Sequence, residues 1–384
     1  MTEIDNRFRA GHYEKQVVGG YRAFLPRPLP PNLPLVYDND LLALLSRADR
    51  ALGRLDGATK VLPDPDLFVA MYVRKEAVLS SQIEGTQATL VDVLEFESGG
   101  SAPEHRDVEE VVNHIRAMNH GLARLEEIPV SLRLIREIHE HLMAGVRGHE
   151  RSPGDFRTSQ NWVGQPGSTI ATATHVPPPP HALLEHLGHL ESFIHATDPL
   201  PDLIKVGLVH CQFETIHPFL DGNGRVGRLL ITFLLCEMEV MKRPLLYISH
   251  YFRAHKEVYY ERLQAVRDSG DWEGWLKFFL EAVCRVSEEA TETARSIAQM
   301  REDHRRMVAE SFGATATKAL ALLESLYMQP VTNVNQVRRT IGGAYSNANT
   351  LVARLESMGL LREMSGQKRN RRFSYAPYLE LLDS

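Results

Sequence analysis

Apolar residues recur along most of this chain with the spacing of an α-helix. After residue 67 they fall on one helical face, at Phe68, Met71, Val78 and Leu79. The letters "DPDL" supply a start for this helix, with Asp64 as N-cap and Pro65 in the first helical position. The same periodicity continues through 108–125 and 131–146 and from about 183 to 310. The pattern therefore predicts a mainly α-helical protein.

Three stretches interrupt the helical pattern. Residues 26–35, "PRPLPPNLPL", are too rich in proline to be helical and predict an extended arm packed against the core. Residues 97–105 have the composition of a loop. Residues 151–180 are rich in Gly, Pro, Ser and Thr, and they predict a β-hairpin in which "QPGS" is the turn and "TIATATHV" is one arm.

The last seventy or so residues have the pattern of a separate small domain. Two short helical segments, "TKALALLESL" and "TNVNQVRRTI", precede a third, "SNANTLVARLESMGLL", which has Gly359 where a helix C-cap belongs. A glycine-containing turn between two short strand-like segments follows it. Three helices and then a basic hairpin are the order of a winged helix.

Composition narrows the class of protein. The net charge of −6 over 384 residues excludes a protein that coats nucleic acid along its whole length, but it leaves room for a local basic patch. Cys211, Cys236 and Cys284 are scattered in apolar surroundings and predict buried free thiols. We find no signal-peptide pattern and no apolar run of about 18 residues. We therefore expect a cytoplasmic protein that makes no membrane contact.

The candidate chemistry lies in "HPFLDGNGRVGR", residues 217–228, between two apolar helices. Gly222, Asn223 and Gly224 can adopt conformations in which successive backbone amides point the same way, at the positive end of the next helix. Together these groups predict an anion cradle. Arg225 and Arg228 are three residues apart on that helix, so they should project from nearly one face. Two guanidinium groups beside a cradle suit a polyphosphate.

Asp221 and His217 add a metal ligand and a base to this cradle. One carboxylate with phosphate oxygens and water is a usual Mg²⁺ environment. A histidine of ordinary pKa is neutral in the cell and can accept a proton. The residues thus predict a Mg-nucleotide site with a base that activates a hydroxyl. A glycine-rich turn with surface arginines would not explain why base, acid and both arginines occur together.

These twelve residues resemble the complete signature of the Fic family, which transfers AMP from ATP to Ser, Thr or Tyr hydroxyls of proteins. The resemblance implies that His217 deprotonates the target hydroxyl and that Asp221 holds Mg²⁺ on the α- and β-phosphates. It implies that Asn223 and the Gly222–Gly224 amides hold the phosphates, that Arg225 stabilises the leaving group and that Arg228 clamps the γ-phosphate. It also implies a Fic-like helical core over 105–285 with a β-hairpin flap.

A second segment, "SSQIEGT" at 80–86, resembles the inhibitory helix of the same family. Ser80, Glu84 and Gly85 match that pattern. The resemblance implies that Glu84 pairs with Arg228 and keeps it from the γ-phosphate, so that the enzyme is autoinhibited. A bidentate pair is the expected geometry. The same glutamate could instead position a water that removes AMP from modified proteins, and the sequence leaves this alternative open.

Target and nucleotide-base contacts are expected from two further regions. The segment 151–176 resembles the family's flap, onto whose edge an extended target segment, or the protein itself in self-modification, would add as a strand. The stretch 244–263 resembles the part that lines the nucleotide-base pocket. Tyr251 and Tyr259 are candidates there, although both could equally be core aromatics.

The predicted organisation is an N-terminal arm and inhibitory helix over 1–100, the core over 105–285, a linking helix over 286–314 and a winged helix over 315–384. The hairpin that follows the third helix is the predicted wing. It carries a group of basic residues, namely Arg362, Lys368, Arg369, Arg371 and Arg372. These could contact DNA phosphates while the third helix reaches base edges. Docking of a protein, including a second copy in a homodimer, is an equal alternative. A rival for the whole chain is a DNA-binding regulator whose core only senses nucleotide.

Overall fold

The computed structural model describes residues 8–17, 19–60, 65–99, 105–146, 152–165, 167–197, 199–367 and 369–383. Helices dominate these ranges, as the periodicity predicts. The helices are α1 (Asn39–Lys60), α2 (Pro65–Ile83), α3 (Leu90–Glu97), α4 (His105–Arg124), α5 (Leu132–Met143), α6 (Pro180–His195), α7 (Asp202–Ile216), α8 (Asn223–Glu237), α9 (Ser249–Ala254), α10 (Lys256–Ser269), α11 (Trp272–Phe312), α12 (Ala316–Met328), α13 (Val334–Ile341), α14 (Tyr345–Ser357) and α15 (Ala376–Asp383). The strands are β1 (Gly11–Lys15), β2 (Arg22–Pro26), β3 (Val331–Asn333), β4 (Arg362–Glu363) and β5 (Arg372–Ser374). Helix α2 begins at the predicted Pro65, whereas Asp64 lies outside the described residues.

The core is built around α7, which is buried at every position from Leu203 to Ile216. A helix that is apolar on nearly all sides belongs in the interior. Helices α6, α8, α10 and α11 contact it, and α4 and α5 pack against each other and against α8. Helix α1 lies along α11, and α2 lies against α4 and α9. The end of α2 therefore reaches the start of α8, which positions the functional site.

The N-terminus contains an unpredicted hairpin. Strands β1 and β2 pair antiparallel, with Gly11 opposite Pro26 and Lys15 opposite Arg22. Phe24 is fully buried, and its amide donates to the carbonyl of Val176 at 2.8 Å. The proline-rich arm begins at the end of β2, so the sequence prediction found the arm but missed the strands before it.

The flap contains much less β-structure than predicted. Val163 and His175 form one antiparallel bridge, and the described residues between them are mostly turns and bends. The "TIATATHV" segment is not a strand. Here the Thr172 hydroxyl oxygen accepts from the Thr169 amide at 3.0 Å. Such local side-chain bonds compete with strand pairing, which is why a β-prone composition does not produce a strand here.

The C-terminal region contains the predicted order of three helices and two strands, here α12, α13, α14, β4 and β5. An unpredicted strand, β3, completes an antiparallel sheet of order β3-β5-β4. An unpredicted helix, α15, closes the described chain. Helix α11 runs without a break across the predicted boundary at 285/286, so the linking segment is part of one long core helix. Lys368 lies outside the described residues.

Cys211 and Cys284 are buried, Cys236 is half-buried, and all three are free thiols. The prediction of free thiols is confirmed, and that of burial holds fully for two of the three. None of the helices in the described ranges is both long enough and apolar enough to cross a membrane.

Candidate active site

The loop between α7 and α8 is anchored from inside. Phe219 is fully buried, as predicted, and its ring stacks on that of His139 with centroids 3.7 Å apart. The Asn223 side chain accepts from the Phe219 amide and donates to the Phe219 carbonyl, both at 2.8 Å. This amide group therefore clamps the loop, and the expected contact between the Asn223 side chain and phosphates is not the one its geometry favours. A carboxamide can satisfy both partners only when it faces the loop.

The cradle forms at the first turn of α8. Gly222 has a φ of 76°, in the left-handed region that glycine tolerates, and its amide donates to Asp221 Oδ1 at 2.7 Å. The amides that follow have no acceptor earlier in the helix, so they are available to an anion. A Cβ atom at Gly224 would collide with Oε1 of Glu84. Glycine at this position therefore allows a carboxylate to approach the helix start.

Arg228 is held by the end of α2. Its Nη2 atom lies 2.6 Å from Glu84 Oε1, so the predicted ion pair is present. The pair is made through one carboxylate oxygen and is not bidentate, because the Arg228 Nε atom donates instead to the Ser80 hydroxyl at 2.8 Å. Burial disfavours the charged form of Glu84, but the Arg228 guanidinium outweighs this and lowers the pKa of the carboxyl. Gly85 follows with a φ of 104°, a backbone conformation that favours glycine, and the chain turns away from Arg228 there.

Arg225 points elsewhere, which corrects the expectation that both arginines face one ligand. Its guanidinium lies 3.3 Å from Glu110 Oε2 and 3.6 Å from the Met143 sulfur, and its side chain is 4% exposed. Asp221 Oδ1 is 4.0 Å away. A buried cation requires a carboxylate partner, and Glu110 on α4 supplies one. Arg225 therefore fixes α8 against α4 and α5 and does not line the cavity.

His217 ends α7 in a left-handed conformation, with a φ of 49°. Arg157 holds its backbone by donating from Nε to the His217 carbonyl at 2.9 Å. Burial, together with the positive charge of Arg157, lowers the pKa of His217 to about 4. Its Nδ1 atom is buried and has no hydrogen-bond partner among the described residues. The imidazole is therefore neutral at physiological pH and able to accept a proton.

One cavity of about 250 Å³ joins these groups. His217, Asp221, the start of α8, Arg228 and Glu84 all line it. Tyr259 also lines it, and its hydroxyl is hydrogen-bonded to His210 Nε2 at 2.9 Å. Tyr251 does not line it, because its ring stacks on that of His255 with centroids 4.1 Å apart. Of the two tyrosines proposed for the base pocket, the structure therefore brings only Tyr259 to the site.

Four polar residues that line the cavity were not singled out in the sequence, namely His175, Glu214, Tyr260 and Arg267. Burial raises the pKa of Glu214 to about 7, and its Oε1 atom has no hydrogen-bond partner among the described residues. Its signal was an acidic residue three positions before the 217–228 motif, on a helix rich in apolar residues. Arg267 is buried on α10 and donates from Nε to Gln264 at 3.0 Å. Nothing in the local sequence of α10 distinguishes it from a surface arginine.

A neutral imidazole, the first turn of α8 and a guanidinium share one cavity, and this arrangement is suited to binding a nucleotide. Comparison with known families supports this: residues 42–123 match the Fic/DOC family N-terminal region and residues 129–235 match the Fic/DOC family domain. Residues 42–235 therefore contain the N-terminal region and the catalytic-type domain of the Fic/DOC family.

Curated relatives include two named "Protein adenylyltransferase Fic". The one from Aedes aegypti is 31% identical over 190 residues, covering 49% of this chain and 34% of the relative. The one from Drosophila grimshawi is 29% identical over 226 residues, covering 56% and 42% respectively. The chain thus spans less than half of the length of these relatives.

Two solved structures share the fold. A Fic family protein from Desulfovibrio desulfuricans G20 covers 89% of this chain and 97% of its own, with a TM-score of 0.58 and 20% identity. A Fic domain containing signaling protein from Bacteroides thetaiotaomicron covers 67% of this chain and 97% of its own, with a TM-score of 0.50 and 18% identity. At these identities the likeness is one of fold alone.

Proposed function

We propose that this protein transfers AMP from ATP to hydroxyl groups of proteins and that Glu84 restrains the reaction. The observation that carries this proposal is the shared cavity of His217, Arg228 and the glycine-turned start of α8. A proton acceptor lies there together with hydrogen-bond donors that can hold phosphates, and the transfer of a nucleotidyl group requires both. The family assignment and the names of the relatives support the same activity.

In this reaction the neutral His217 takes the proton of a Ser, Thr or Tyr hydroxyl. The hydroxyl oxygen attacks the α-phosphorus of ATP, and the bond from that phosphorus to the bridging oxygen breaks. AMP becomes attached to the protein, pyrophosphate leaves, and the proton remains on the imidazole until solvent removes it. The first-turn amides of α8 and the Arg228 guanidinium hold the phosphates and stabilise their charge. Catalysis consists mainly of positioning and charge stabilisation.

The residues present fit a magnesium ion. The Asp221 side chain is 36% exposed and lines the cavity next to the phosphate cradle. A single carboxylate, completed by phosphate oxygens and water, is a common Mg²⁺ environment. Asp221 would hold the ion, which when bound would neutralise charge on the phosphates. No group of three or more His, Cys, Asp or Glu residues within the described ranges forms a candidate site for a metal held by the protein alone.

The position of Glu84 supports the proposal of autoinhibition. Its carboxylate occupies Arg228 and lies against Gly224, in the space next to the first amides of α8. A γ-phosphate would need the same guanidinium. Because two anions cannot share one buried cation without repulsion, the bound glutamate excludes a productive triphosphate.

The flap supports docking of the target protein over 151–176, of which residues 152–165 and 167–176 are described. Trp162 is 44% exposed and lines the cavity together with Val163 and Gly164. An extended target segment laid along this edge would bring its hydroxyl towards His217. Self-modification uses the same geometry. The free thiols fit a reducing compartment, and we propose the cytoplasm as the site of the reaction.

Removal of AMP is the second candidate. Glu84 is one-third exposed and lines the same cavity as His217, so a water could lie between them. In that reaction Glu84 would orient the water that attacks the phosphorus of an AMP-protein. The two directions make opposite demands on Glu84, because removal requires it and transfer is restrained by it.

Incubation with Mg-ATP labelled at the α-phosphate separates the candidates. We expect label to enter protein weakly with the wild type, at least tenfold more with Glu84→Gly, and not at all when His217→Ala or Arg228→Ala is added to that variant. Transfer that survives Arg228→Ala undiminished would overturn the phosphate assignment. Release of label from pre-modified protein that is lost in Glu84→Gly would favour removal.

A further inference from the structure

Charge is concentrated at the C-terminal end of the molecule. Residues 331–374 contain eight Lys and Arg residues and two acidic residues, whereas the whole chain has a net charge of −6. One of the two acids, Glu363, accepts from the Ser365 and Gly366 amides of its own turn. Among the basic residues, Arg362 is paired with Glu380 at 2.9 Å. Five described arginines on α13 and the wing form what we call the basic face, namely Arg338, Arg339, Arg369, Arg371 and Arg372.

The exposed side of the first half of α14 lies beside the basic face and is uncharged. Tyr345 is 49% exposed, and Ser346, Asn347 and Thr350 are exposed. The single cation of this helix, Arg354, turns away, because it donates to the Ser311 carbonyl and lies over the Phe312 ring at 4.2 Å. The first half of the helix therefore presents hydroxyl and amide groups, which read base edges, and carries no charged residue.

The wing is fixed against this helix. Arg371 Nη2 donates to Asn349 Oδ1 at 3.2 Å, and the Arg371 guanidinium lies over the Phe373 ring at 5.1 Å. A groove of about 660 Å³ runs between them, and Tyr345, Asn349, Arg369 and Arg371 line it. Cations thus flank a neutral hydrogen-bonding helix, from the end of α13 and from the wing.

We propose that this surface binds duplex DNA, with the first half of α14 in the major groove and the basic face on the phosphates of both flanking strands. The arrangement fits DNA because phosphate contacts position a protein while neutral polar side chains contact bases. An acidic protein would be better matched by cations at the centre of the surface, where the first half of α14 has none. Double-stranded RNA fits poorly, because its major groove is too narrow for a helix.

Fluorescence anisotropy with the full chain and a labelled DNA duplex of mixed sequence tests this proposal. With about four phosphate contacts, we expect affinity to fall about 100-fold between about 50 and about 200 mM salt. Arg338→Ala/Arg339→Ala and Arg369→Ala/Arg371→Ala should each weaken binding more than tenfold and reduce the salt dependence. Arg362→Ala is the matched control, since it removes a wing cation that is already paired with Glu380. Asn347→Ala should change the preferred sequences in a library of duplexes while leaving the salt dependence unchanged.

The proposal is overturned if the duplex is not bound at low salt, or if Arg362→Ala weakens binding as much as the paired variants do. Equal affinity for double-stranded RNA also contradicts it. A concentration-dependent dimer that is lost in Tyr345→Ala, together with no DNA binding, would assign the surface to protein association instead. The wing variants should incorporate label from α-labelled ATP into protein at the wild-type rate. Failure of DNA binding and failure of AMP transfer are therefore distinguishable.

Discussion

Ser80 and Arg228 are joined twice, because the Arg228 guanidinium donates to both the hydroxyl and the carbonyl oxygen of Ser80, at 2.8 and 3.0 Å. The serine therefore orients the guanidinium whose charge Glu84 neutralises. In the proposed inhibited state, Arg228 would be held by this hydrogen-bonded support as well as by the ion pair. An arginine that lost the support would still be buried but could turn towards the triphosphate.

We therefore predict that Ser80→Ala raises the basal rate of AMP transfer by about two- to fivefold, since one hydrogen bond is worth about 1 kcal/mol. The effect should be smaller than that of Glu84→Gly, because the ion pair remains. Ser81→Ala is the control: the Ser81 hydroxyl is also buried but has no hydrogen-bond partner among the described residues. Initial rates of label incorporation measure the difference, and equal rates in the two variants would contradict the role of Ser80.

The pH dependence of transfer reports the environment of His217. Burial and the charge of Arg157 lower its pKa to about 4, so the imidazole becomes protonated only below the usual histidine range. We predict that kcat/KM of a Glu84→Gly/Glu214→Gln variant, in which Glu214 no longer titrates near pH 7, is constant from pH 7 to about 5 and falls as the pH approaches 4. The pH dependence of kcat/KM reports the pKa values of the free enzyme. Phosphates that bind in the complex therefore do not shift the fall in kcat/KM at low pH.

Glu84 raises the pKa of His217, so its loss in this variant moves the fall in kcat/KM further towards low pH. Circular dichroism at each pH checks that the fold is retained. An acidic limb between pH 6 and 7 would show that the imidazole is solvated in solution, and the base assignment would then lose its structural support.

Arg267 is predicted to contribute to nucleotide or target binding. It is buried, lines the cavity and acts electrostatically on His217. Arg267→Met should lower kcat/KM by about 10- to 100-fold, because a hydrogen bond to a charged group is worth about 1.5–3 kcal/mol. The KM for ATP and the KM for the target, measured separately, show which partner it binds.

Arg262→Met on the same helix is the control for Arg267. Its guanidinium lies 3.6 Å from Asp271 at the surface, and its side chain is 45% exposed. Both substitutions remove one positive charge from α10, so an equal loss of kcat/KM in the two variants would indicate a long-range effect of charge rather than a contact in the cavity.

Asn223 is predicted to act on the loop and not on phosphates. Asn223→Asp keeps the acceptor for the Phe219 amide but sets an oxygen against the Phe219 carbonyl, which should cost about 1–3 kcal/mol. We expect a lower Tm and a raised KM for ATP together. Asn335→Asp, at an exposed position of α13, should leave both unchanged. A raised KM with an unaltered Tm would instead indicate direct contact with the phosphates.

Local patterns carried most of what the sequence could predict. The loop of 217–222 and the buried Phe219 were expected from the motif and helical periodicity, whereas the pairing of Glu84 with Arg228, 144 residues apart, was expected only from the family resemblance. The direction of the Arg225 side chain was not expected, because it depends on Glu110, which is 115 residues away in the chain. Spacing places two arginines on one helix but cannot say which neighbours meet them.

The flap and the N-terminal hairpin show a second limit. Thr and Val favour strands only when a partner edge is available, and strand preference depends strongly on such context. In the flap, hydroxyl groups bond to nearby backbone and take the place of that partner. At the N-terminus, β2 meets the backbone of Val176, and this long-range pairing has no signature in the local sequence.

Helix α11 extends without interruption from Trp272 to Phe312, a rise of about 60 Å at 1.5 Å per residue. Its first half packs in the helical core against α1, α7 and α10, and its second half contacts the C-terminal helices α12 and α15. Because this helix is continuous, it contains no flexible linker. A partner bound by the C-terminal helices would therefore be held at a fixed distance and direction from the cavity. The range of acceptor proteins would then be chosen by geometry as much as by their own sequences.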